Sequence, residues 1–460
     1  MNIIILDGVL FIASVLLIIG LRKLSNPASA SNGNRLAAVA LALGVIVALV
    51  YPMETQNNNY IYIVAGICIG GIIGIISAKK VPMTAMPEMV SLFNGFGGLS
   101  AALISLVWLV NTHFAAETME LGIVLFNLFL GLVAFIGSMV AYGKLSGSLK
   151  DEHLRIPFST IVNSLLLIIA IVLIIVFSYS GQLSTTQTIL FSLLSLLYGI
   201  TFVAPIGGAD MPVVIATLNA LTGITAAISG VITDNKLMLL GGVLVGSSGI
   251  ILTLLMCKAM NRSVISVFFG NFSATKEAGK LVEGNAKEIS ASNLAIQLAY
   301  SQRVCIIPGY GMAVAQAQKV VKELEEVLEG KDVEFKYAIH PVAGRMPGHM
   351  NVLLAESDVS YDKLLDLEEA NTYLESTDVA IVVGANDVVN PSALDDPGSK
   401  IYGMPILNLS KTKNVIVLKR SMNPGYAGIQ NPLFFKDNTK MLFGDAKKSI
   451  ERILMELKVV

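Results

Sequence analysis

Residues 303–314 read Arg303-Val304-Cys305-Ile306-Ile307-Pro308-Gly309-Tyr310-Gly311-Met312-Ala313-Val314, an apolar run closed by a glycine-spaced turn. The apolar run predicts a buried strand over 304–308. The periodicity after the turn predicts a helix over 312–328, with Val314, Ala317, Val321, Leu324 and Leu328 on its buried face. Gly309, Gly311 and Val314 make Gly-x-Gly-x-x-Val, a variant of the dinucleotide fingerprint. In that reading Gly309 makes the tight turn, and Gly311 lets the backbone approach a pyrophosphate at a helix N-terminus, where unpaired N–H groups favour anions. Tight turns of this kind also occur without a ligand; the strand–turn–helix context favours the binding reading.

Working outward, residues 333–339, 378–383 and 414–419 read as further strands, the last two followed by turns rich in Gly, Asn or Ser. Alternating strands and helices imply a parallel sheet covered on both faces, an α/β Rossmann-like domain over 288–460. The acidic residue that would close the second strand and favour a free ribose hydroxyl is missing. His340-Pro341-Val342-Ala343-Gly344-Arg345-Met346-Pro347-Gly348-His349 stands there instead, which disfavours NAD. Lys419-Arg420-Ser421 ends a later strand; two cations and a hydroxyl suit a ribose 2′-phosphate, although Lys-Arg is also an ordinary solvated strand end. Asn423-Pro424-Gly425-Tyr426-Ala427-Gly428 is a turn-rich loop fit to fold over a nucleotide. Gly384-Ala385-Asn386-Asp387 follows a strand whose carboxyl end lies at the ligand crevice of such a sheet. Asp387 is therefore a candidate site residue, with a turn-capping aspartate as the plainer reading. His340 and His349 are candidates for acid–base work, against a structural role beside proline and glycine turns.

The rest of the chain is of a different kind. Over 460 residues it is 54% hydrophobic and 14% charged, with a mean hydropathy of +0.70, too apolar for a wholly soluble protein. Nine apolar runs, at about 3–21, 36–52, 60–78, 84–110, 119–142, 158–178, 186–204, 211–232 and 237–257, are long enough to cross a bilayer. The first lacks a basic leader and a small-residue cleavage site, so it reads as a span and not a signal peptide. The expected organisation is a polytopic α-helical membrane bundle over 1–262, a linker over 263–287 and the Rossmann-like domain over 288–460. Cations gather in alternate loops: Arg22, Lys23 and Arg35; Lys79 and Lys80; Lys144, Lys150 and Arg155; Lys258 and Arg262. Glu54, Glu117, Glu120 and Asp234, the last with a single Lys236, lie in the opposite set, and the seventh connection, with only Asp210, breaks the alternation. The positive-inside bias then puts the N-terminus outside and the C-terminal domain in the cytoplasm. A net charge of −1 gives no field for nucleic acid, and Cys68, Cys257 and Cys305 form no disulfide or metal pattern.

Ionisable groups deep in a bundle mark pathways, and these spans hold almost none. Glu88 and Asp210 sit at helix ends, and the polar residues at depth are Asn94, Asn127, Asn163, Asn219, Ser247 and Ser248. Small and amide residues let helices pack closely and bond across their interface; they also tolerate a hydrated proton or ion route. Both readings stand for Asn94 with Gly98, Ala101 and Ser105, for Asn219 with Thr222, and for Gly242, Gly246 and Gly249, each set sharing a helical face.

Together, residues 308–318, 340–351, 384–391 and 419–435, with Gly207-Gly208-Ala209-Asp210-Met211-Pro212 and Val245-Gly246-Ser247-Ser248-Gly249 in the bundle, resemble the beta subunit of the proton-translocating NAD(P) transhydrogenase, over essentially the whole chain. The resemblance implies an NADP(H)-binding domain on a proton channel in a bacterial inner membrane, surrounded by lipid. It also implies an alpha subunit that binds NAD(H), passes hydride directly between the two nicotinamides and pairs into a dimer of alpha–beta assemblies. It implies a nucleotide lying reversed in the crevice, its 2′-phosphate at Lys419 and Arg420, contacted by Gly309, Tyr310, Gly311, Ala313, Val314, Val342 through Pro347, Gly384 through Asp387, Ser421, Gly425, Tyr426 and Ala427. Asp387 would link proton occupancy to nucleotide affinity, and Asn94, Asn219, Asp210, Ser247 and Ser248 would line the proton path. Some members carry a mid-span histidine where this chain has Asn94; members with Asn carry a membrane histidine on the partner, and this chain reads as the second kind. Two other readings are a channel or transporter governed by a nucleotide-sensing domain, without catalysis, and a membrane anchor for an NADP-binding module.

Overall fold

The computed structural model describes residues 3–24, 27–50, 59–149, 158–207, 210–269, 284–346, 348–399, 401–425 and 427–460. Pro347, Tyr426, Gly208, Ala209, most of the expected linker and the loop charges Glu54, Lys150 and Arg155 lie outside them. The chain divides into two compact units, Met1–Pro205 with Ile215–Leu252, and Ile206–Val214 with Thr253–Val460.

The first unit is helical. Its elements are α1 (Ile3–Leu24), α2 (Pro27–Val50), α3 (Tyr60–Lys80), α4 (Met86–Asn111), α5 (Thr118–Leu145), α6 (Ser159–Ser180) and α7 (Thr185–Val203), with most of α8 (Met211–Ile232) and α9 (Lys236–Ala259). Among the described residues these nine helices are long and apolar enough to span a membrane, one for each apolar run. Local chemistry sets their ends. Ser184 and Gln187 form a reciprocal capping box at the start of α7, and Gly181, at φ 64°, closes α6 in the left-handed conformation. The second helix starts well before its apolar run, with Pro27 in its first turn, where a missing N–H costs nothing.

Small residues let these helices meet backbone to backbone. A Cβ on Gly98 would stand 2.8 Å from the Gly131 carbonyl, and one on Gly131 2.8 Å from the Gly98 carbonyl, so α4 and α5 cross there. Added Cβ atoms on Gly242, Gly246 and Gly249 would meet Ala227, Ile224 and Ala220 of α8 at 2.2, 3.2 and 2.8 Å. That face of α9 is a packing face.

The second unit carries α10 (Val264–Phe269) and an α/β fold: α11 (Ala291–Ala299), β1 (Arg303–Pro308), α12 (Tyr310–Val314), α13 (Gln318–Glu329), β2 (Glu334–Ala338), α14 (His349–Glu356), β3 (Leu364–Leu365), α15 (Leu367–Leu374), β4 (Val379–Val383), α16 (Ser392–Asp395), β5 (Asn414–Lys419), β6 (Thr439–Phe443) and α17 (Ala446–Leu457). The six strands form one sheet in the order β3-β2-β1-β4-β5-β6, parallel at every pairing. β1, β4 and β5 are nearly continuous buried apolar runs, as a sheet covered on both faces requires, whereas β2 buries Phe335, Tyr337 and Ala338 around an exposed Glu334 and a half-buried Lys336. Strand order reverses between β1 and β4, which puts the crevice of the fold at their carboxyl ends.

Two expectations change. The helix over 312–328 is two helices, because Gln316 adopts φ 51° and breaks the run between α12 and α13. Val314 ends the short first piece and is 48% exposed, whereas Ala317, Val321, Leu324 and Leu328 are fully buried. The sheet also gains β3 and β6, edge strands that the pattern of apolar runs did not reveal. Below the crevice, fully buried Glu325 accepts hydrogen bonds from Lys322 Nζ at 2.7 Å, Lys363 Nζ at 2.5 Å and Tyr337 Oη at 2.6 Å, tying α13 to β2.

Candidate nucleotide-binding site

The turns after β1 and β4 interlock. The Gly309 N–H donates to the Val383 carbonyl at 2.9 Å and the Gly311 N–H to the Gly384 carbonyl at 3.0 Å. A Cβ on Gly309 would stand 2.4 Å from Ala385 Cα, and one on Gly311 2.7 Å from Gly384 Cα. Gly384 itself has φ 64°, a conformation that side chains resist. Both fingerprint glycines are thus needed for turn-to-turn packing. The Gly311 amide and that of Met312, which donates to the Gly309 carbonyl at 3.0 Å, are engaged within the turns. Helix α12 is only five residues long. Ala313 and Ala385 are buried beneath the turns.

The segment after β2 lies against the same turn. The Arg345 guanidinium carbon stands 4.4 Å from the Tyr310 ring centroid, a cation over an aromatic face. The Arg345 N–H donates to His349 Nδ1 at 3.0 Å. Gly344, at φ 109°, leaves the room this needs, since its Cβ would lie 2.5 Å from that nitrogen. His340 Nδ1 accepts the Val342 N–H at 3.2 Å, which makes its Nε2 the donor to the Pro405 carbonyl at 2.7 Å. Val342 is half-buried, Ala343 buried and Met346 half-buried. Burial lowers both histidines to about 4, opposed at His340 by its bond to Pro405 and reinforced at His349 by the Arg345 charge. Both rings are neutral near pH 7 and already bonded to backbone, which is the structural role of the two readings.

On the other side of the crevice, Asp387 Oδ1 accepts Asn386 Nδ2 at 3.1 Å, and its Oδ2 accepts the Ala427 N–H at 3.0 Å. Asn431 Nδ2 donates to the Asn386 carbonyl at 3.0 Å, and Asn390 Nδ2 to the Gln430 carbonyl at 3.1 Å. Gly425 fits because a Cβ there would be 2.7 Å from Asp387 Oδ1. The turn after β4 therefore holds the loop after β5 at several points. A cavity of about 320 Å³ opens beside this latch, lined by Asn386, Lys419, Met422, Pro424, Asn431 and Phe434 among others. Lys419 Nζ donates to the Asn423 carbonyl and lies 4.7 Å from the Phe434 ring centroid. Burial pushes its ammonium below the usual lysine range, and the Asp387 charge opposes that shift. Arg420 Nη2 pairs with Asp445 Oδ2 at 3.1 Å, and Ser421 is exposed. Asn390, Asn431 and Phe434 fall in the stretches 384–391 and 419–435 that the sequence singles out, without a role of their own there, and Asp445 lies outside every such stretch.

In the bundle, Asn94 is buried, and its carbonyl accepts Thr222 Oγ1 at 3.1 Å. Fully buried Asn127 places Nδ2 3.2 Å from the Ala101 carbonyl, 3.0 Å from Ser105 Oγ and 3.0 Å from Ser229 Oγ, joining α5 to α4 and α8. Asn163 Nδ2 donates to the Thr201 carbonyl at 3.0 Å. Asn219 is half-buried, while Ser247 and Ser248 face outward, Ser248 bonding back to Val245 at 2.9 Å. Asn94 and Thr222 are thus brought together; Ser247 and Ser248 lie on another face. Asp210, in the second unit, is buried and pairs with Arg262 at 3.2 Å.

The match to a family model, NAD(P) transhydrogenase beta subunit, runs over residues 7–456. The chain belongs to this family. Two relatives, both named NAD(P) transhydrogenase subunit beta, come from Rhodospirillum rubrum and from a strain of that species; each is 45% identical over 464 residues, covering 97% of either chain. The chain is therefore a membrane-embedded subunit of an oxidoreductase that works with NAD(P)(H), and a beta subunit implies an alpha partner. The transhydrogenase assignment sets aside the reading of a nucleotide-gated channel without catalysis.

Proposed function

We propose that this chain is the NADP(H)-binding, proton-conducting half of a transhydrogenase whose alpha subunit holds NAD(H). The observation that carries the reading is the pair Lys419–Arg420 at the carboxyl end of β5, combined with His340 where an acid would follow β2. Cations there favour a 2′-phosphate through charge-assisted bonds, and no carboxylate after β2 selects a free ribose hydroxyl. The surroundings support the reading: the glycine turns after β1 and β4 interlock, Arg345 lies over Tyr310 on one side, and Ala427 and Asn431 are bonded to Asp387 and Asn386 on the other. When bound, NADP(H) supplies hydride chemistry to the partner's nicotinamide. The residues of this chain bind the phosphates, orient the nucleotide in the reversed sense and hold or release the 423–428 loop. Asp387 touches that loop and couples its proton occupancy to nucleotide affinity.

In the same reading the second unit lies on the cytoplasmic side of a bacterial inner membrane, the N-terminus lies outside, and alpha–beta assemblies pair into a dimer. Protons pass along Asn94 and Asn219, with Asp210 at the cytoplasmic end and the titrating group on a partner helix; Ser247 and Ser248, which face outward, join the path where that helix covers them. The deciding experiment is co-purification with the alpha subunit, followed by an assay of hydride exchange between NADH and an NADP analogue. Exchange by the pair and none by this chain alone is the expected result. Exchange by the purified single chain would contradict the division of nucleotides between subunits.

A further inference from the structure

Asp445 occupies a constructed position. Strands β5 and β6 are paired with Lys419 opposite Phe443, and the Gly444 N–H donates to the Lys419 carbonyl at 3.0 Å. Gly444 adopts φ 150°, and a Cβ there would lie 2.8 Å from Ser449 Oγ. This turn delivers Asp445 to the N-cap of α17, where Oδ1 accepts the Lys448 N–H at 3.4 Å. The cap fixes one carboxylate oxygen and leaves the other, Oδ2, 3.1 Å from Arg420 Nη2. The Arg420 side chain is 63% exposed, and among the described residues the bond to Asp445 is what restrains its guanidinium. One Nη2–H is engaged, so Nε–H and the Nη1 hydrogens remain to meet an anion.

We propose that Asp445 is a positioning residue for nucleotide selection: it presets the Arg420 guanidinium so that the free edge meets the 2′-phosphate. This rests on the reading that Lys419 and Arg420 recognise that phosphate. A long exposed arginine loses rotamer freedom when it binds, and a side chain already held loses less. The carboxylate alone, with no guanidinium to hold, can only repel a phosphate.

The test is calorimetric titration of the detergent-solubilised full chain with NADP⁺ and with NAD⁺. Asp445→Asn keeps the helix cap, since Asn caps as well as Asp, and removes the charge. It is expected to weaken NADP⁺ about two- to fivefold, the range of exposed ion pairs, and to leave NAD⁺ unchanged. Asp445→Glu should recover part of the loss. In an Arg420→Ala background the sign should reverse or vanish, so that adding Asp445→Asn leaves NADP⁺ binding equal or tighter. A loss for both nucleotides, or the same loss with and without Arg420, would overturn the proposal and leave Asp445 a helix cap. If Arg420→Ala by itself spares NADP⁺ binding, the underlying reading of the cation pair fails instead.

Discussion

Asp387 Oδ2 accepts the Ala427 N–H at 3.0 Å, so one carboxylate joins the turn after β4 to the loop after β5. Charge on Asp387 strengthens that bond, because hydrogen bonds to ionised groups are stronger than neutral ones. In the proposed reading the same charge opposes the phosphate oxygens of a bound nucleotide. Neutralising Asp387 would weaken that bond and, in the same reading, remove the repulsion.

NADP⁺ affinity is expected to rise as pH falls, because the protonated carboxyl no longer repels the phosphates. Asp387→Asn is neutral at every pH and should flatten this dependence while leaving the fold intact. Titration of the full chain with NADP⁺ across pH checks it; a mutant that follows the parental pH profile would leave Asp387 only a turn residue.

Arg420→Ala should discriminate between nucleotides. Hydrogen bonds to charged groups contribute about 1.5–3 kcal/mol, so NADP⁺ binding should fall by about tenfold or more, with NAD⁺ little changed. Equal losses for the two, measured by calorimetry, would show that the cluster does not read the 2′-phosphate.

Gly384→Ala should destabilise the second unit by about 2 kcal/mol or more, adding a left-handed backbone penalty to a steric one. The φ is 64°, and the new Cβ would stand 2.4 Å from Gly311 Cα. A lowered thermal midpoint together with lost NADP⁺ binding is the expected outcome; a variant as stable as the parent would show that the two turns separate at little cost.

The buried histidines should make the protein acid-sensitive. His340 and His349 lie near 4 against an ordinary 6.5, so the unfolded chain binds their protons first. Their contribution is full above pH 6.5, declines as pH falls from there toward 4 and is flat below. Each is worth about 3 kcal/mol over that interval, at about 1.4 kcal/mol per pH unit. Thermal unfolding across pH should show the decline, and a His340→Gln/His349→Gln double variant should lose this part of it. An unchanged slope in the double variant would place the acid sensitivity elsewhere.

Asn219→Leu should impair proton uptake and coupled turnover in vesicles holding the full complex, because a branched apolar side chain dries a hydrated path. NADP⁺ binding to the isolated soluble domain should be unchanged, since Asn219 belongs to the other unit. Normal pumping by this variant and by Asn94→Leu would make both amides packing residues, like the Asn127 junction between α4, α5 and α8.

By itself the sequence determined the two architectures and their order. Bilayer thickness requires long apolar runs, and those at 3–257 became nine helices. A buried parallel strand requires a short apolar run, and Val304–Ile307 became the centre of β1. The fingerprint turn, the acid missing after β2 and the cations ending β5 were legible because each depends on residue type at a fixed offset along the chain. Tertiary structure decided the rest. Gln316 breaks the helix although nothing in its neighbours forbids helix, and that break turned Val314 outward. The fingerprint glycines serve the contact with Gly384 and Ala385, residues more than seventy positions away. Asp387 meets Ala427, and Arg420 meets Asp445, only because parallel strands bring the carboxyl ends of β4, β5 and β6 side by side. Periodicity reports which face of an element is buried; it carries no record of which distant turn that face will meet.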